Sequence, residues 1–320
     1  MPSKNSAIAS APIPATKDQN GNVIIWNVKE GYSQMSRRTV NDNNDDDAFA
    51  AAQDRAVSET APASNIPNLK DKPKKEDIPE QVAPFTATWA LAEAVTPSMV
   101  RTRHALLGYQ ACQKKLIELD SGLCIAACAK PGGDGPKELV LVYYVTEDAN
   151  GDRRVVEYDL KTSKPRVLST DLSTDPNDAT RLCALYFTPP GEQKDVPYCF
   201  FQKNGKVFEY RTQKNSSSEL TGITGARSPT PLAACRYQHK VYLFWLSSGF
   251  NLMYSTRSNG QWTPGTIVPA AQDGSRPDQA DAQSDISVVP DEEKKLIAIY
   301  YKMQDSDNDV DEYIWKIIDS

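Results

Sequence analysis

The feature that most constrains this chain is an internal repeat. From Pro84 onward one pattern recurs five times: an apolar run ending in an aromatic, a polar turn, and a second strand that usually carries a glutamate. The units are "ALLGYQACQKKLIELD", "LVLVYYVTEDANGDRRVVEYDL", "YCFFQKNGKVFEYRT", "VYLFWLSSGFNLMYST" and "LIAIYYKMQDSDNDVDEYIW". Their anchor aromatics, Tyr109, Tyr144, Phe201, Trp245 and Tyr301, lie about 48 residues apart on average. Each unit follows a short strand of small apolar residues: "TWALAEAV", "CIAACAK", "LCALYFT", "PLAACRY" and "DISVVPD". A repeat that cannot bury its own apolar faces must stack on its neighbours, and a period of roughly 40 to 50 residues is that of propeller blades. The strand nearest a propeller axis is crowded, which favours Ala, Cys and Val.

The expected architecture is therefore all-β: a single β-propeller of five to six blades over residues 83–320. A fourth strand is visible in "NGQWTPGTIV", where Trp262 follows an Asn-Gly turn. Upstream, residues 1–35 hold one isolated strand signal, Val23 to Val28, and residues 36–82 are rich in Asp, Asn, Pro, Ser and Lys. Such a segment buries too little surface to offset its ordering entropy, so it is expected to be a disordered acidic and Pro-rich loop. A lone strand does not stand by itself. The expectation is that the strand at 23–28 pairs with the edge of "DEYIWKII", completes the last blade and closes the ring.

Composition excludes some function classes. The 320 residues carry a formal net charge of −6, and the basic cluster "KDKPKKED" is interleaved with acids. That argues against nucleic acid or an anionic membrane as partner, since both require clustered cations. No apolar run approaches the length of a membrane span and the N-terminus lacks a signal-peptide core, so a cytoplasmic location is expected. The six cysteines, Cys112, Cys124, Cys128, Cys183, Cys199 and Cys235, sit mostly in apolar runs and read as reduced, buried thiols. Cys124 and Cys128 have no second ligand pair at zinc-finger spacing, so neither metal nor cofactor is expected.

At these strands the sequence resembles the fungal fucose-specific lectins, six-bladed propellers. Here "LVLVYY", "LIAIYYK", "LIEL", "VVEY", "VFEY" and "VDEY" match the family's cadence, and "NGQWTPG" and "SPTPLAAC" match its outer strand and entry to the next blade. The resemblance covers roughly residues 84–320. It implies a site in which a third-strand glutamate accepts from sugar hydroxyls, a second-strand arginine donates to them, and an aromatic stacks on the sugar. A carboxylate accepts twice and a guanidinium donates through a fixed fork. The glutamates fall at Glu118, Glu157, Glu209 and Glu312, with Tyr254 in the remaining unit. The family's arginine position holds Leu106, Leu141, Tyr198, Tyr242 and Ala298. The resemblance thus implies acceptors without their donor, and fucose is not expected to bind by the family's mechanism. Tyr198 shares a unit with Glu209, and Trp262 on the next blade adds stacking surface, so that blade is the best candidate.

Other constellations carry less. His104 and His239 are far apart, which disfavours a Ser-His-Asp or Cys-His arrangement. "DSDNDVDE" fails the EF-hand pattern, with Val310 at the glycine position and Lys316 at the bidentate glutamate, and reads as an acidic hairpin tip. "PGGDGP" lacks the Lys-Ser/Thr of a phosphate loop. The sequence reads as a non-catalytic, lectin-like propeller with glycan as possible partner at degenerate sites between blades. The alternative is an intracellular scaffold that binds protein partners or itself and has lost its sugar sites.

Overall fold

The computed structural model describes residues 181–306, with short breaks, and 311–317, together with strands at 8–12, 22–29, 32–39, 55–56, 125–129, 140–147, 153–159 and 164–168. In chain order the strands are β1 (Ile8–Pro12), β2 (Asn22–Lys29), β3 (Tyr32–Thr39), β4 (Arg55–Ala56), β5 (Ile125–Ala129), β6 (Val140–Glu147), β7 (Arg153–Asp159) and β8 (Lys164–Val167). They continue as β9 (Leu182–Phe187), β10 (Val196–Lys203), β11 (Lys206–Arg211), β12 (Ser216–Glu219), β13 (Leu232–Tyr237), β14 (Lys240–Leu246), β15 (Leu252–Ser258), β16 (Gln261–Trp262), β17 (Thr266–Ile267), β18 (Ile286–Asp291), β19 (Leu296–Tyr301) and β20 (Asp311–Lys316).

Among the described residues these form five antiparallel sheets, each a run of consecutive strands: β1–β4, β5–β8, β9–β12, β13–β17 and β18–β20, referred to below as the first to fifth. The small-residue strands each begin a sheet, and they lie side by side: β5 against β9, β9 against β13, β13 against β18, and β18 against β1. Ala126, Cys128, Cys183, Ala233 and Cys235 are all buried there, because only short side chains fit where neighbouring first strands converge. The second to fifth units of the repeat thus map onto the second to fifth sheets, and the first unit lies outside the described residues.

The second strands explain why their sequences are apolar without alternation. β14 is buried from Val241 to Leu246 and β19 along its whole length, since each is covered on both faces by adjoining sheets. Side chains such as Phe200, Phe201 and Trp245 are essentially inaccessible, and each contributes about 1.5–3 kcal/mol by burial. The third strand β20 alternates strictly between buried and half-buried residues, β11 buries Val207 and Tyr210 alone, and the outer strands β8 and β12 are exposed throughout. Between β10 and β11 the Lys-Asn-Gly turn puts both Asn204 (φ 51°) and Gly205 (φ 71°) in the left-handed region, the arrangement whose twist matches a two-residue hairpin.

The N-terminal region departs from expectation in its pairing. β2 lies between β1 and β3 in a four-stranded sheet of its own, with Trp26 opposite Ala9 on one side and Met35 on the other. Residues 23–28 therefore do not pair with "DEYIWKII"; among the described residues β20 pairs only with β19. The reason lies just upstream: "IASAP" is another small-residue first strand, and it gives β2 a closer partner. Within 36–82, β3 runs on to Thr39 and Arg55–Ala56 forms β4; the remainder lies outside the described residues, as do the unit at 105–120, Cys112, Cys124 and His104. Cys128, Cys183, Cys199 and Cys235 are buried. No helix among the described residues is long and apolar enough to cross a membrane.

Candidate functional site at the sheet junctions

The glutamate positions of the repeat are equivalent in register. Tyr144, Phe201, Trp245 and Tyr301 face Val156, Phe208, Met253 and Asp311 across their hairpins, so the next residue along each third strand is Glu157, Glu209, Tyr254 or Glu312. A strand shows successive side chains to opposite faces, which turns each of these toward the following sheet. Three residues further on, Thr212, Arg257 and Trp315 occupy the equivalent place and point back toward the preceding sheet. Each junction therefore brings the first position of one sheet against the second position of the next.

At the junction of the third and fourth sheets the pair is Glu209 and Arg257. Arg257 Nη1 donates to Glu209 Oε2 at 2.8 Å, and Trp262 Nε1 donates to the same oxygen at 2.9 Å. Ser218, opposite Glu209 on β12, donates more weakly to Oε1 at 3.4 Å. The side chains of Arg257 and Glu209 are only 12% and 13% exposed. The Arg257 guanidinium lies 5.2 Å from the ring centroids of both Phe187 and Tyr198 and 5.9 Å from that of Trp262, while Phe200 meets Trp262 edge-on at 5.7 Å. Such aromatic faces attract a cation and hold it in place. Tyr198 lies beside Arg211 across the hairpin, and Arg211 is ion-paired with Glu192. Burial pushes the Tyr198 hydroxyl up from its ordinary range, against the opposing pull of Arg257. Burial likewise draws the Arg211 guanidinium down, and neighbouring Arg257 adds to this.

At the junction of the second and third sheets Glu157 is more enclosed. Tyr143, opposite it on β6, donates to Oε2 at 3.0 Å, and Arg166 on β8 donates to Oε1 at 2.8 Å. Tyr143 also meets the Thr212 hydroxyl at 3.2 Å. Both carboxylate oxygens are taken, and the residue is 7% exposed. Burial, then the charges of Cys128 and Glu157, hold the Tyr143 phenol well above its ordinary range. At the junction of the fourth and fifth sheets the pair is aromatic instead: Tyr254 and Trp315 approach to 4.6 Å, with Tyr242 and Phe244 edge-on to the same indole. Glu312 lies opposite Tyr300 on the face turned away from the fourth sheet. Glu118 lies outside the described residues.

Of the residues singled out from the sequence, the fold brings Glu209, Tyr198 and Trp262 into one junction, and keeps Glu157 and Glu312 at others. Arg257 is not among them: the resemblance implies a donor on the second strand of the same unit, where Tyr198 stands, whereas the guanidinium over Tyr198 comes from the third strand of the next sheet. Its signal was present: aligned on the anchor aromatics, Arg257 falls at a fixed offset from Tyr254, as Thr212 does from Glu209.

No protein-family model and no curated protein sequence matches the chain. Among solved structures it is similar to AofleA from the fungus Arthrobotrys oligospora, with 13% identity and a TM-score of 0.55 over 97% of this chain and 82% of that one. A triple arginine-to-alanine mutant of AofleA matches at 14% identity and the same TM-score, over 97% and 83%. A fungal lectin from Aleuria aurantia, described as a six-bladed β-propeller with a novel fucose recognition mode, aligns over 93% of this chain and 72% of its own at 10% identity and a TM-score of 0.37. The chain thus resembles the fungal fucose-specific lectins in fold, as its strand cadence predicts.

Proposed function

We propose that this protein is a non-catalytic, lectin-like propeller that binds a saccharide at the junction of its third and fourth sheets. The observation that carries the reading is the meeting of three groups at one place: the Glu209 carboxylate, the Arg257 guanidinium and the Trp262 indole. Together they supply an acceptor whose Oε1 holds only the weak 3.4 Å bond from Ser218, a forked donor and an apolar face, the three things a pyranose ring needs for orientation. Arg257 replaces the donor that the second strand lacks. Glu209 acts as acceptor, Arg257 as donor, and Trp262 as stacking surface, with Tyr198 and Phe187 fixing the guanidinium from beneath. Glu157, 7% exposed and with its two oxygens held at 3.0 and 2.8 Å by Tyr143 and Arg166 of its own sheet, is a structural crosslink, and the aromatic junction at Tyr254 offers no carboxylate.

Calorimetric titration with L-fucose and a panel of neutral and acidic glycans tests this, repeated on Glu209→Gln and Trp262→Ala. Saccharide binding that both substitutions weaken by about tenfold or more supports the site. Binding indifferent to Glu209 would overturn it. The enclosure of Glu157 favours one other reading, in which all the glutamates are crosslinks and the propeller serves as a scaffold for protein partners. A panel with no response, together with a lower melting temperature for Glu209→Gln, would establish that second reading.

A further inference from the structure

The same junction holds a second guanidinium that the proposed site does not use. Arg211 stands two residues beyond Glu209 on β11, hence on the same face, and its guanidinium lies 5.9 Å from the centroid of the Tyr198 ring that also carries Arg257. Two cations thus share one aromatic ring in a space largely closed to water. Each has a carboxylate on a terminal nitrogen: Glu192 on Nη2 of Arg211, and Glu209 on Nη1 of Arg257. Each also has its Nε buried with no hydrogen-bond partner. An orphaned guanidinium donor in a buried place costs desolvation without return, and two of them, in guanidiniums 5.9 and 5.2 Å from one ring centroid, point to an acceptor that is not part of the chain.

Glu192 shows which acceptor fits. It sits in the turn between β9 and β10, its amide bonded to Pro189 O at 3.1 Å, and its side chain is 35% exposed where that of Arg211 is 16% exposed. It touches the fork through Nη2 and leaves Nε bare. A carboxylate approaching side-on takes Nε and Nη2 together, the paired geometry in which guanidinium–carboxylate contacts are strongest. Exchanging Glu192 for an incoming carboxylate keeps the charge of the junction balanced and returns Glu192 to water, so the exchange adds no unpaired charge. We propose that the saccharide taken at this junction is acidic, with its ring carboxylate seated on Arg211 beside Arg257, and that Glu192 holds the anion's place while the site is empty. This rests on the saccharide reading above and names its substrate class.

A matched pair of ligands isolates the carboxylate: methyl β-D-glucuronide and methyl β-D-glucoside, titrated into the full chain at two salt concentrations. The glucuronide is expected to bind at least about tenfold tighter than the glucoside, the worth of a charge-assisted bond, and to weaken with salt while the glucoside does not. Glu192→Gln removes the place-holder at the rim. Since an ion pair with one exposed partner is worth up to about a fivefold factor, glucuronide affinity should rise by about that much and glucoside affinity stay level. Arg211→Gln should erase the gap between the two ligands; its melting curve, read alongside, separates this from misfolding, and the salt dependence of the parent stands without that variant. Equal affinities for the two ligands, with both dependent on Glu209, would overturn the acidic class and leave the saccharide reading standing. Sodium sulfate competing as well as the glucuronide would overturn it too, marking the arginines as a site for an adventitious ion only. Binding of neither ligand, nor of any other glycan, would remove the saccharide reading itself.

Discussion

The junction of the third and fourth sheets makes a quantitative demand on stability. Arg257 and Glu209 are joined at 2.8 Å with side chains 12% and 13% exposed, so neither is well solvated once the other is removed. Stripping one partner from a fully buried pair costs about 3–5 kcal/mol; the residual exposure here scales this to about 2–3 kcal/mol. The perturbation is a double-mutant cycle of Glu209→Gln, Arg257→Met and both together. Gln keeps an acceptor for the Trp262 indole and Met keeps much of the volume packed on Phe187 and Tyr198, so those contacts cancel around the cycle. The coupling that remains belongs to the ion pair, and about 2 kcal/mol is expected, with the double variant more stable than the worse single one. Urea denaturation followed by tryptophan fluorescence reads each corner, at low salt and at high salt. A partly buried pair is screened little, so the coupling should persist at high salt. A coupling below about 0.5 kcal/mol, the value of an exposed surface pair, would refute the claim that this contact ties one sheet to the next.

Three further outcomes are expected. A Cβ added at Gly265 would lie 2.6 Å from Trp245 Cζ2, and that indole is fully buried with nowhere to move, so Gly265→Ala should cost about 1–3 kcal/mol by overpacking, checked by its denaturation midpoint. Trp315→Ala removes the indole packed against Tyr254, Tyr242 and Phe244 and should cost about 3–5 kcal/mol, whereas Trp315→Phe should recover much of it. Burial raises the Cys128, Cys183 and Cys235 thiols and the Tyr143, Tyr186 and Tyr301 phenols above their ordinary range. Their raised folded values mean that the unfolded chain loses protons first, so stability is intact below about pH 8.5 and falls steadily above it; a denaturation midpoint unchanged between pH 8 and pH 10.5 would contradict this.

What the sequence made legible was what repeats. The anchor aromatics and small-residue strands fixed both the first and second strand of each sheet from the second to the fifth, because crowding and two-sided burial leave strong compositional marks. "IASAP" carries the same mark, but with only five residues and no anchor aromatic beside it, it does not stand out from a polar N-terminus. The site was half legible. Glu209 and Trp262, which meet at the junction, stand out in the sequence because each lies in a motif, an acid between two aromatics and an indole after an Asn-Gly turn. Arg257 was not, because its role depends on which sheet comes next and how the faces meet. A contact between residues 48 positions apart is set by tertiary register, which no local pattern records.

The alternation of partners from one junction to the next bears on how the sheets find their order during folding. Acid meets guanidinium between the third and fourth sheets, phenol meets indole between the fourth and fifth, and a phenol bonded to a carboxylate of its own sheet meets a threonine hydroxyl between the second and third. Five sheets of one shape could in principle stack in any sequence, each apolar face accepting any other. Mismatched neighbours would set Glu209 against the Trp315 indole and bury an unpaired charge. Repeat proteins risk assembly in the wrong order because their parts are interchangeable. Here the lapses in the repeat make the parts distinguishable, so the departures from the consensus encode the seating of each sheet.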